Sequence, residues 1–130
     1  MLPMIESFAP VSRTSRMPAP DDRDGSAAND LRALSARTAA FTAERGWARF
    51  HSPKNLAMAL SVEAAELVEL FQWRTERESD DLDEATLSRV SDEIADVQIY
   101  LLQIAARLDV DIGRAVLSKL EKNARKYPVP

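Results

Sequence analysis

The stretch "VEAAELVELFQW", residues 62–73, decides how this chain folds. It is apolar on almost every side, as a buried helix is, yet Glu63 and Glu66 interrupt its most hydrophobic stripe. An α-helix turns 100° per residue, so positions i, i+3, i+4 and i+7 share a face. On that count Leu56, Ala59, Leu60, Glu63, Glu66, Leu67 and Leu70 form one row, with leucines on both sides of the glutamates. Further along, Val90, Glu93, Asp96, Val97, Tyr100 and Ile104 form a second such row, again with two acids three residues apart. Paired in an antiparallel hairpin, the two helices would bring both carboxylate pairs to a similar depth.

The surrounding elements follow from the same periodicity. Leu31, Leu34, Thr38 and Phe41 predict a first helix over about 30–45, capped by Asn29 or Asp30 and ended by Gly46. "GWARFHSPKN" is a loop, and Ser52-Pro53 starts the second helix, with serine as N-cap and proline in the first helical position. That helix is expected over about 53–74, roughly 33 Å long. "TERESDDLDE" is an acidic loop, the third helix covers about 84–107, and the turn "LDVD" leads to a fourth over about 111–126. "YPVP" stops it, because proline cannot continue a helix. No strand pattern competes. The expected fold is all-α, a four-helix bundle over residues 29–130. Residues 1–28 hold four of the seven prolines, show no periodicity and read as a flexible N-terminal tail.

Composition narrows the function. At 130 residues there is room for a single domain with a modest core. A net charge of −4 and a pI near 5.0 argue against nucleic-acid binding, which needs a basic face. No run is long enough to span a bilayer, and the N-terminus lacks the apolar segment of a signal peptide. Cysteine is absent, so neither a disulfide nor a thiolate metal site is available. A cytoplasmic protein without a membrane or nucleic-acid partner is expected.

Four carboxylates converging away from water repel one another and need basic partners, protons or cations. Few basic residues share these faces. Oxygen-only ligation by Glu63, Glu66, Glu93 and Asp96 suits a hard cation such as Mg²⁺ or Mn²⁺. A di-iron bundle would require Glu-x-x-His motifs, and the only histidine, His51, stands on a loop. Glu69, Glu76, Glu78, Asp80, Asp81 and Asp83 read as solvated acids, and Asp92 reads either way. Lys119, Lys122, Arg125 and Lys126 form the main basic cluster, either a solvated helix end favoured by the dipole or a phosphate contact helped by Asn123. Lys54 is a weaker candidate for an anion.

Glu63-Ala-Ala-Glu66 followed by Glu93-Ile-Ala-Asp96 resembles the all-α nucleoside triphosphate pyrophosphatases of the MazG-like superfamily. "ERGWARFHSPKNLAMALSVEAAELVELFQW", "DEIADVQIYL" and "SKLEKNARKYPV" together look like its dCTP pyrophosphatase branch, a likeness covering roughly residues 30–129. The resemblance implies hydrolysis of a nucleoside triphosphate to the monophosphate and pyrophosphate, with Mg²⁺ on Glu63, Glu66, Glu93 and Asp96. Glu66 or Glu63 would take the proton of the attacking water, and Trp47, Trp73 and Tyr100 would help to form the base and sugar pocket. Asn123 and the basic residues near it match the phosphate end. His51 reads equally as a structural loop residue and as a substrate contact. The branch carries a histidine nine residues before the tryptophan, and Thr38 stands there, so a base contact is lost or replaced. The resemblance also implies a homotetramer built as a dimer of dimers. That agrees with a second helix whose other face carries Met58, Val62, Ala65, Val68 and Phe71, since a helix apolar all round is buried on all sides. Two rival readings remain: a phosphoribosyl-ATP pyrophosphatase, and a non-catalytic helical module that binds metal structurally.

Overall fold

A computed structural model describes residues 30–130; the expected N-terminal tail lies outside the described residues. Among the described residues every regular element is helical. The first helix, α1, is Leu31–Glu44, capped by the Asp30 carboxylate, which accepts a 2.8 Å hydrogen bond from the Arg32 backbone N–H. Gly46 follows in the left-handed region at φ 63°, where a Cβ would be strained, and the chain turns there as expected. A 3-10 turn over Trp47–Phe50 then leads to α2, Pro53–Glu69. Ser52 caps α2 from its side chain, and Asn55 Nδ2 donates to the Phe50 carbonyl at 2.9 Å, fastening the turn to the helix.

The acidic connection is more ordered than its sequence suggests. The helix α2 stops at Glu69 and not at Arg74, because a competing helix start lies just beyond. Thr75 and Glu78 form a reciprocal capping box that opens a short helix, α3, over Glu76–Asp80. An extended Thr75 is incompatible with continuing α2 through it. The intervening residues close in tighter turns, and Arg74 Nε covers the Leu70 carbonyl at 3.1 Å. Asp83 caps α4, Glu84–Arg107, by accepting from the Thr86 backbone N–H at 2.7 Å.

The end of α4 is a Schellman motif. Val110 N–H reaches the Ala105 carbonyl at 2.8 Å, and Asp109 N–H reaches that of Ala106 at 3.5 Å. Asp109 takes the left-handed position at φ 54°, usually held by glycine. Asp111 then caps α5, Ile112–Lys126, whose bounds match the fourth expected helix closely.

The main interface is between α2 and α4, and α1 packs on α4. At its centre Leu56 (0% exposed), Ala59 and Tyr100 are buried, with Phe50, Leu60 and Ile104 packed around them. Gln103 Nε2 donates to Thr42 Oγ1 at 3.0 Å and ties α1 to α4. The helix α5 stands apart from this core: Val116, Leu117 and Leu120 are all more than half exposed. Its N-cap Asp111 meets Arg32 at 3.9 Å, an exposed pair of little energetic weight. Met58 and Val68 on α2 are likewise uncovered. Among the described residues no helix is long and apolar enough to cross a membrane.

Candidate active site

Buried in the α2–α4 interface, Glu63 lies one turn beyond Ala59 of the core. Glu66 sits a turn further on, exposed, and Glu93 approaches from α4, half-buried. Carboxylate oxygens of these three residues lie within 4.8 Å of one another. Asp96 stands outside that group, half-buried, though its charge acts on both Glu63 and Glu93. An aspartate reaches one methylene less far than a glutamate from the same helix face. The sequence expectation of four converging acids is thus met by three at close range and one flanking them.

The electrostatics follow from this crowding. Glu63 is pushed up to about 8, first by burial, then by hydrogen bonding and charge from Glu66, with Asp96 and Glu93 adding to it. Glu93 is raised by burial and then by Glu66 and Asp96, and Asp96 by burial and then by Asp92 and Glu66. Every charge acting on the three is another carboxylate. Asp92, ambiguous in sequence, therefore belongs to the acidic field. Burial also raises the Tyr100 hydroxyl, reinforced by Glu63, Asp96 and Glu66. Tyr100 is 1% exposed, so the ring is core immediately beneath the acids.

The donor set fits a hard divalent cation. It is all oxygen, and Glu93 Oε2 is buried with no hydrogen-bond partner, which is costly for a carboxylate unless something positive meets it. Without a cation the buried Glu63 retains a proton near neutrality.

The other expected contacts lie around this centre at different places. Trp47 is held edge-on to Phe41, with ring centroids 5.8 Å apart, and lines a cavity of about 200 Å³ with His51, Ile99 and Gln103. His51 is 4% exposed, and its pKa is lowered by burial and then by Arg107, so the imidazole is neutral. Trp73 is 89% exposed in the turn after α2, where Arg74 and Arg89 line the same surface cavity. Extending α2 as far as Arg74 places Trp73 in line with Glu66; the end of the helix at Glu69 removes that alignment. Lys119, Lys122 and Arg125 are exposed on α5 and Asn123 is half-buried; none is among the groups acting on the acids. Sequence reading missed Thr42 and Gln103, both on the cavity wall. An uncharged polar residue beside the apolar stripe of α4 is the only local hint of the second.

Comparison with known proteins adds to this geometry. The model of the MazG-like family matches residues 58–130. The chain is 45% identical over 102 residues to dCTP pyrophosphatase 1 of Rattus norvegicus, covering 77% of this chain and 58% of that protein. It is 46% identical over 101 residues to dCTP pyrophosphatase 1 of Homo sapiens, with 76% and 58% covered. The chain thus spans less than two thirds of the length of these curated relatives. Among solved structures, a pyrophosphatase from Archaeoglobus fulgidus DSM 4304 superposes with a TM-score of 0.72 at 43% identity, covering 76% of this chain and 93% of that one.

Proposed function

Since the chain belongs to the MazG-like family, we propose that it hydrolyses a nucleoside triphosphate, dCTP or a related base-modified pyrimidine deoxynucleotide, to the monophosphate and pyrophosphate. The observation that carries this reading is the group of Glu63, Glu66 and Glu93 oxygens within 4.8 Å, with only other acids acting on it. The names of the rat and human relatives support dCTP as the substrate.

Glu63, Glu66 and Glu93 would hold Mg²⁺ or Mn²⁺, with Asp96 flanking. Such a cation supplies Lewis acidity toward the phosphates, a more acidic water and a template for the leaving pyrophosphate. The chain's own groups do the rest. Glu66, the solvent-facing member, or Glu63 accepts the proton of the attacking water. Trp47 provides an aromatic wall for the base, with His51 near it and Tyr100 supporting the floor; Trp73 is the second aromatic candidate. Lys119, Lys122, Asn123 and Arg125 would meet the phosphate end.

The uncovered apolar faces of α2 and α5 support association of copies, which we assign to a homotetramer built as a dimer of dimers. We assign the catalytic domain to residues 29–130, and the enzyme would act on the cytoplasmic nucleotide pool. A panel of ordinary and modified nucleoside triphosphates with Mg²⁺, read by pyrophosphate release, tests the assignment. Release from dCTP is the expected result. No release from any triphosphate overturns the enzyme reading, and a preference for purines overturns the dCTP assignment alone.

A further inference from the structure

Two cavities, of about 190 and about 200 Å³, lie between α1, the loop after it and α4. The residues that line both are Thr38, Thr42, His51 and Gln103, all polar, while most of the remaining walls are apolar. Cavities of about 150 Å³ accept a benzene ring, so each has room for one small ring and not for a whole nucleotide. Two buried atoms here have no hydrogen-bond partner: Gln103 Oε1 and His51 Nε2. Gln103 Nε2 donates to Thr42 Oγ1 at 3.0 Å, which leaves Oε1 as the unpaired end of the amide. Such orphan groups are expensive in a folded chain and call for an explanation.

Gln103 lies seven residues beyond Asp96 on α4, two turns along the same face and about 10 Å away. A molecule with its phosphates at the acids would therefore bring its base to this wall, beside the Trp47 ring. Resting on the nucleotide reading above, we infer that Gln103, positioned by Thr42, determines base specificity: its Oε1 accepts a hydrogen bond from the exocyclic amine of a cytosine-type ring. A ring with a carbonyl at that place sets two acceptors against each other and leaves both unpaired. Sites built to pair with a substrate N–H or O–H discriminate strongly for this reason.

The test compares dCTP with dUTP turnover, and dCMP with dUMP binding by calorimetry, in the wild type, Gln103→Met and Thr42→Val. The wild type is expected to favour the cytosine member in both measurements. Gln103→Met, similar in volume but without the acceptor, is expected to lose about tenfold of that ratio. Thr42→Val should lose a smaller part of it. A wild type indifferent to the base overturns the inference, as does a Gln103→Met protein that melts cooperatively and keeps its ratio, or that loses both substrates equally. Should Gln103→Met not fold, an unchanged ratio in Thr42→Val has the same force. Absence of all turnover sinks the hydrolase reading, yet dCMP binding lost selectively in Gln103→Met would still sustain the specificity assignment.

Discussion

Glu63 and Glu66 stand one turn apart on α2 with carboxylate oxygens within 4.8 Å, the first buried and the second open to solvent. The difference in exposure separates what their loss should do. Glu63→Gln and Glu66→Gln are each expected to lower kcat by at least about 100-fold, the scale of a lost acid–base or cation contact. Only Glu63→Gln should change stability much, because only Glu63 is buried. Pyrophosphate release and thermal melting, measured on the same preparations, check both halves.

The crowding also gives stability a pH dependence when divalent cations are removed. Glu63 titrates near 8 in the fold against about 4.3 in an unfolded chain. The folded state therefore binds the proton more tightly, and the group's contribution is fully present below about 4.3 and lost as pH rises to about 8. Glu93 and Asp96 shift the same way. His51 opposes them, since its lowered pKa favours the fold above 6.5 and loses that advantage as pH falls. The large Glu63 shift sets the sign, so Tm in chelator should fall between pH 5 and pH 8. Added Mg²⁺ should flatten the slope. Glu63→Gln in chelator should raise Tm at pH 8 by on the order of 5 °C. A Tm that climbs with pH over this range in chelator would contradict the reading.

Leu56 is wholly buried at the centre of the α2–α4 interface. Leu56→Ala is expected to cost about 3 kcal/mol, or upwards of about 10 °C in a domain of this size. Denaturant unfolding should show the loss with little change in m-value.

At the end of α4, Asp109 occupies a left-handed position that costs an L-residue roughly 1–2 kcal/mol. Asp109→Gly removes that strain and adds some unfolded-chain entropy, leaving a net gain of about 0.5–1 kcal/mol. A Tm increase of a few degrees, with activity unchanged, is the expected outcome.

Helix starts were readable because they are local. Ser52-Pro53, Asp83 and Asp111 each cap through an oxygen and a backbone N–H three residues away. The end of α2 was hidden because its apolar pattern runs on through Phe71 and Trp73; the telling signal, Thr75 with Glu78, lay beyond it. The acids were legible for the same reason the helices were, since a spacing of three fixes them to one face. Their separation into three and one was not, because it depends on side-chain reach across an interface. Thr42 and Gln103 meet across 61 positions of sequence, and no local pattern encodes such a pairing.

The two tryptophans give the protein a built-in optical probe. Trp73 is 89% exposed, whereas the Trp47 ring is half-buried against Phe41 on the cavity wall. Iodide should therefore quench a red-shifted Trp73 component first and leave a bluer Trp47 component behind. With Trp73→Phe, the remaining emission would report occupation of the cavity directly, without a label and without turnover.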